Sequence, residues 1–438
     1  MMKRNKILIL CKYFIFFILE IECTDIKMTL GKKLNEKDNA YPLFITLNEK
    51  LIDKQNFNSF DLFCFYQIRK NDKETYLNLL YNTLNTLIEK LNPNEGLSLI
   101  SMMNYDSLDN PYEMELKKMT ESNKEKFLEV LNNIKQINKN SIKKFNLDKR
   151  IKQFINEEYN YFNPNHANSV IFIFSGKNDF KLFFKENFND EKFKNFSFHF
   201  FVINQKIEES RSNSMINFSK ERGGGYYEIT SNDEVSIATL NVIGGLRTIK
   251  YKYIDIQINN KTEIQQFYGS NFLSSYYSLK NTTSFTIYQF ISGIEYTYVL
   301  LININENIKM GDIILTINAN CTNYNKENNS LFEFIKFYNV ANYFFSKKSD
   351  FCRVKTMEEV EKLEKIQNAN RNNIIKEKIE EIKKNCGEDI NEEILKILNN
   401  TDFSSSHNIN KTLSEGYISR GGINLWNSND YQKKLVKE

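Results

Sequence analysis

At 438 residues, with 41% hydrophobic, 14% aromatic and 26% charged residues, the chain has apolar surface for about three domains of ~150 residues and too many core-forming side chains for wholesale disorder. Its 59 basic residues are interspersed with 55 acidic ones for a net charge of +4, which leaves no electrostatic footprint for nucleic acid. Six scattered cysteines without a CxxC pair, and only three histidines, exclude a zinc-finger or RING-type site and make a disulfide framework unexpected.

Residues 1–40 form an N-terminal hydrophobic segment and lead-in. The stretch MMKRNKILILCKYFIFFILEIECT starts basic and turns apolar, but it is interrupted by Lys12, closed by Glu20, and short for a membrane span. Two readings stand. A signal peptide cleaved near Cys23-Thr24 would send the protein to a secreted or endomembrane location; a start at Met28 would leave it cytoplasmic. Membrane contact is expected only if the segment is retained.

From Tyr41 to Gly245 apolar strand runs alternate with amphipathic helices, the pattern of a doubly wound α/β domain with about six strands. The first core strand is Asp61 to Tyr66, followed by a helix with Tyr76, Leu80, Leu84, Leu87, Ile88 and Leu91 on one stripe; Asn71 with Glu74 predicts its capping box. Gly96 to Ser101 is the second strand. After a hairpin-like segment around Tyr112 to Met119, Ser122 and Glu125 predict the cap of a helix bearing Phe127, Val130, Leu131 and Ile134. Further strands are expected over Ser169–Phe174, Phe196–Ile203 and Tyr226–Ile229, with Arg222-Gly223-Gly224-Gly225 as a turn into the last of them. A helix from Ser231 to Val242, ended by Gly244-Gly245, completes the unit.

Residues 246–330 read as a small antiparallel β-sandwich-like domain, with strands at Thr248–Ile258, Ser284–Phe290, Tyr296–Ile304 and Ile313–Ala319. The apolar phase shifts within the first of these, from Tyr251 and Tyr253 to Ile254 and Ile256, which predicts a bulge or a change of partner. Residues 331–438 read as a charged helical C-terminal region.

DLFCFYQIRKND with its following helix, PNEGLSLISM, MTESNKEKFLEVLNNI, SVIFIFSGKND, FHFFVIN and RGGGYYEI resemble, in order and spacing, a von Willebrand factor A domain. The resemblance covers Tyr41 to Gly245. It implies a Rossmann-like interaction module, and the segments after it resemble eukaryotic proteins that join such a domain to RING, U-box or Hint elements, none of which this sequence shows.

The family's metal-ion site uses a first-strand Asp-x-Ser-x-Ser motif, a later Thr and an Asp after the fourth strand. Carried over, those positions hold Gln67, Arg69 and Asn71, then Asn140, then Ser175. Mg²⁺ needs oxygen ligands and normally a carboxylate. A guanidinium a few ångströms away repels it by about 4 kcal/mol at an effective dielectric of 20. The resemblance therefore implies a site without metal or other cofactor. Asp72 and Asp106 are the nearby acids that could rescue it, and both read as ordinary helix-start and loop residues.

Partner binding is then expected of Gln67, Arg69, Lys70, Asn71, Asn140 and Ser175. Arg69 either pairs with an acidic residue of a partner protein or is simply solvated at a drifted site. A non-enzymatic scaffold is the leading expectation. An accessory subunit of a ubiquitin-ligase-type complex, a secreted adhesion protein, and a hydrolase built on Ser175 and a histidine are the alternatives.

Overall fold

The computed structural model describes residues 25–30, 39–48, 58–102, 112–137, 166–175, 193, 196–203, 209–269, 274–279, 281–292, 296–324, 328–336, 352–358, 377 and 380–381. The N-terminal hydrophobic run and most of the expected helical C-terminal region lie outside them.

The chain opens with two strands, β1 (Asp25–Leu30) and β2 (Ala40–Asn48). The α/β unit follows: β3 (Phe60–Tyr66), α1 (Glu74–Lys90), β4 (Gly96–Ser101), β5 (Met114–Lys118), α2 (Glu121–Lys135), β6 (Ala167–Ser175), β7 (Phe196–Ile203), α3 (Glu209–Glu221), β8 (Tyr226–Ile229) and α4 (Asn232–Arg247). Seven strands come next: β9 (Ile249–Asn260), β10 (Glu263–Phe267), β11 (Ser274–Leu279), β12 (Thr282–Ile291), β13 (Tyr296–Asn303), β14 (Ile313–Thr322) and β15 (Asn328–Lys336). A helix over 352–358, α5, is the last element described.

β3, β4, β6, β7 and β8 pair in parallel within a six-stranded sheet of order β5-β4-β3-β6-β7-β8, with β5 antiparallel at one edge. Both faces are covered, which is why these strands read as continuous apolar runs. Leu62, Cys64 and Tyr66 of β3 enter the core that includes residues of α1, α2 and α4. Phe63 and Phe65 point the other way, into an aromatic layer with Phe172, Phe198, Phe200 and Phe218 of α3. Within it Phe172 stacks on Phe65 and Phe200 at 5.0 and 5.5 Å between ring centres.

The helix ends depart from the expected caps. α1 has Lys73 as its N-cap and α2 has Thr120, neither with a side-chain cap bond, so Asn71 and Ser122 do not cap. The capping box is built instead at α4, where Ser231 accepts from the Glu234 backbone N–H and the Glu234 carboxylate accepts from the Ser231 N–H. Gly244 and Gly245 sit inside α4, which runs on to Arg247. Buried helix–sheet packing outweighs their low helix propensity.

The boundary at Tyr41 also moves. β2 pairs with β1 and β13, not with the parallel sheet, so residues 41–48 belong to the antiparallel part. Likewise β15 carries strand structure to Lys336, past the expected end at 330. Antiparallel sheets of order β1-β2-β13-β10 and β11-β12-β9-β14-β15 form this sandwich. Phe267, Phe285 and Tyr298 fill the space between them, with ring centres 5.1 to 6.3 Å apart. At the phase shift along β9 the register with β12 is regular, Tyr288 opposite Tyr253 and Ile287 opposite Ile254, and the change is one of partner, as β14 pairs with β9 only from Tyr253 onward; the β12 irregularity lies further along, at Phe290/Ile291.

The two parts share a core. The Asn58 N–H donates to the Arg247 carbonyl at 3.1 Å, and the Ser292 N–H to that of Thr248 at 2.9 Å. Arg247 makes a two-pronged ion pair with Glu95, Nε to Oε1 at 2.6 Å and Nη2 to Oε2 at 2.8 Å, with both side chains buried. Cys64 and Cys321 are buried free thiols, whereas Cys352 is disulfide-bonded, against the expectation from cysteine spacing.

His199 lies in the middle of β7, fully buried against the Tyr227 ring, and burial lowers its pKa from 6.5 to about 3. The unfolded chain takes up this proton below its ordinary pKa while the folded chain refuses it, so stability is lost as pH falls from 6.5 toward 3. The loss at about pH 4.5 is about 3 kcal/mol, from ~1.4 kcal/mol per pKa unit. Urea unfolding of His199→Leu should therefore show a shallower decline of stability between neutral and acid pH than the parent chain.

Candidate functional site

β3 and β6 end side by side, and their carboxyl ends carry the residues that the resemblance singles out. In open α/β sheets this is the edge where ligands bind. The Gln67 N–H donates to the Ile173 carbonyl at 3.1 Å, which prolongs the β3–β6 pairing by one residue and buries the Gln67 side chain. The chain then leaves the sheet through a tight turn. Asp72 N–H donates to the Arg69 carbonyl at 3.1 Å, and the Arg69 N–H donates to Asp72 Oδ2 at 2.6 Å. A four-residue turn closed at both ends fixes Lys70 and Asn71 at its exposed tip.

Asp72 is the hub of this arrangement. Its other oxygen, Oδ1, accepts from the Ser175 hydroxyl at 3.2 Å, tying the turn after β3 to the last residue of β6. The half-buried Arg69 folds back, its Nε–H donating to Gln67 Oε1 at 3.2 Å. Tyr76 of α1 donates its hydroxyl to the Gln67 carbonyl. Burial, and next the Asp72 charge, hold this phenol well above its ordinary pKa, so it stays a donor.

Gln67, Arg69 and Ser175 thus come together around a carboxylate that sequence reasoning assigned to the helix start. No local rule marked it: an aspartate that shapes a turn commonly bonds a backbone N–H two residues on, whereas Asp72 reaches three residues back to Arg69. Asn140 and Asp106 lie outside the described residues.

Among the described residues the donor set is a poor match to a divalent cation: the Asp72 carboxylate is engaged by a hydroxyl and a backbone N–H, and the amide oxygen of Gln67 accepts from a guanidinium, which would repel an ion bound there. Among the described residues no group of three or more His, Cys, Asp or Glu is placed to hold a metal.

Nor do the described histidines reach Ser175. His166 sits just before β6, at its opposite end, where Nδ1 lies 3.1 Å from Asp61 Oδ2. Nine residues of strand, roughly 30 Å at ~3.3 Å per residue, separate it from Ser175. His199 is opposite Ile171, four residues short of Ser175. His407 is outside the described residues.

The fold is that of von Willebrand factor A proteins. The chain is similar to a von Willebrand factor type A protein from Catenulispora acidiphila, with a TM-score of 0.56, 8% identity and 96% of each chain covered. It is also similar to the ArnB paralog VWA2 from Sulfolobus acidocaldarius, with a TM-score of 0.52, 11% identity, and 91% of this chain and 99% of that one covered. These coverages extend beyond the α/β unit to the antiparallel strands. No protein-family model and no curated protein matches the chain.

Proposed function

We propose that this chain is a non-enzymatic protein-interaction module that engages its partner without a metal ion. The face it uses is the carboxyl end of the parallel sheet: Gln67, Arg69, Lys70, Asn71 and Ser175; Asn140, which the resemblance adds to this set, is outside the described residues.

The observation that carries this reading is the Asp72 carboxylate, which bonds both Ser175 and the Arg69 backbone while Arg69 covers Gln67. In this reading the turn is pre-ordered by the protein's own carboxylate. It presents the cations of Arg69 and Lys70 to a carboxylate of the partner, so the pair forms directly. Pre-organisation lowers the ordering cost of association, and a guanidinium–carboxylate pair can be two-pronged. Arg69→Ser is expected to weaken partner binding by about tenfold or more, from the ~1.5–3 kcal/mol of a charged hydrogen bond. Unchanged affinity in a titration calorimeter would count against Arg69 as the contact.

A second reading, an exported adhesion protein, is favoured by the disulfide at Cys352, because disulfides persist in oxidising compartments. Mass spectrometry of the protein from its own cells separates the two locations. A terminus near Thr24 and an oxidised Cys352 mean export, and a terminus at Met1 or Met28 with reduced thiols means the cytosol.

A further inference from the structure

Six strands end the three sheets among the described residues: β5 and β8, β1 and β10, and β11 and β15. An edge strand exposes unpaired backbone groups, and proteins usually guard it with charge or proline. Five of the six follow that rule: β5 has Lys117 and Lys118, β8 has Glu228, β1 has Asp25 and Lys27, β10 has Glu263, and β15 has Glu333 and Lys336. The sixth, β11, reads SSYYSL and has neither charge nor proline.

The same strand concentrates apolar exposure. Of the six exposed large apolar side chains among the described residues, three are on β11, Tyr276, Tyr277 and Leu279 at 37%, 56% and 58% exposure, while Leu128, Ile237 and Met310 are scattered singly. Tyr276 turns inward, its ring 5.7 Å from that of Phe267. Tyr277 stands opposite Ser284 and Leu279 opposite Thr282, so both lie on the outer face of the five-stranded sheet. A one-residue irregularity against β12 precedes Tyr277, and from Tyr277 to Leu279 the pairing is regular.

We infer that β11 is a self-association edge, pairing antiparallel with β11 of a second copy of this chain across a two-fold axis, so that two five-stranded sheets continue into one. The absence of charge selects this occupant. An isologous contact brings every residue of the strand near its own symmetry mate's strand, so a lysine or glutamate at the centre would meet a like charge.

The register follows from parity. A continuous sheet keeps outer face with outer face, and directly opposed residues in an antiparallel pair share a face. Paired residues therefore differ by an even number of positions, and the even register that overlaps most of the strand while keeping Tyr277 to Leu279 paired sets Tyr277 against Tyr277 of the other copy and Tyr276 against Ser278. A strand pair this short buries less than the ~1,200 Å² of a standard interface, which makes the dimer a weak, micromolar one.

Sedimentation equilibrium of the full chain, taken into the high micromolar range, tests this. The parent chain is expected to dimerise, and Tyr277→Lys and Tyr277→Glu each to weaken the dimer by at least about tenfold, the equivalent of ~1.4 kcal/mol. An equimolar mixture of the two variants is expected to dimerise again, because the altered positions face each other. Leu279→Lys supplies an independent variant, and unchanged circular dichroism confirms that each is folded. A parent chain that stays monomeric, a dimer that survives Tyr277→Lys, or a variant mixture that stays monomeric overturns the proposal.

Discussion

Gly224→Ala is expected to cost at least about 4 kcal/mol of stability, the class of a substitution that forces packed backbone apart. A Cβ at this position would lie 1.9 Å from the Phe198 carbonyl oxygen, 2.5 Å from its carbon and 2.7 Å from its nitrogen. These are backbone atoms of β7, held between β6 and β8, so they cannot yield as a side-chain tip would. The turn is fixed from both ends as well: Gly224 N–H donates to the Ser219 carbonyl at 2.7 Å, and Phe200 N–H to that of Gly225 at 2.8 Å. Gly311→Ala is the internal control. Its φ of 91° also disfavours alanine, but no atom lies within 4 Å of the added carbon, so only a backbone strain of about 1–3 kcal/mol is expected. Equal urea midpoints for the two variants would contradict this account.

The second large effect is expected at the Glu95–Arg247 pair. Glu95→Ala should destabilise by about 3–5 kcal/mol, because it leaves a buried guanidinium without its counter-charge. The pair sits where the parts meet. Arg247 is the last residue of α4, its Nη2 also donates to the Lys90 carbonyl at the end of α1 at 3.0 Å, and Glu95 Oε2 accepts from the Asn92 N–H at 2.7 Å. Losing one partner therefore frees the start of β4 and the exit of α4 together. Glu95→Leu combined with Arg247→Met should recover part of the loss, since apolar replacement removes both charges from the interior. A Glu95→Ala variant with parental stability would show that solvent reaches the site.

The parallel strands were legible because burial on both faces writes them as unbroken apolar runs, and Leu62 through Tyr66 could be little else. β1 and β11 were not: DIKMTL and SSYYSL are short and part polar, and only pairing with β2 and β12 makes them strands. The membership of β2 was hidden for a different reason. Nothing in AYPLFITLN states that its partner is β13, some 250 residues on, as a long-range antiparallel pairing carries no local mark. The buried pair of Glu95 and Arg247 escaped in the same way, since a glutamate after Pro93-Asn94 and an arginine after two glycines look like ordinary surface residues.

At the site, the identity of Gln67, Arg69 and Ser175 was readable position by position, whereas the role of Asp72 was not. Capping arithmetic placed it at the beginning of α1, but the helix begins after Lys73, and the carboxylate turns back to bond Arg69 and Ser175. Local hydrogen bonding to a turn competes with capping for the same short acidic side chain. The outcome depends on where β6 ends, which is a tertiary fact.

Whether the interaction face works without metal is decided by capturing the tagged full-length protein from its own cells with and without EDTA and identifying what binds by mass spectrometry. Partners are expected to stay bound in EDTA. Partners that leave in EDTA and return with Mg²⁺ would contradict a metal-independent face, and would mean that Asp72 exchanges Ser175 and the Arg69 backbone for an ion.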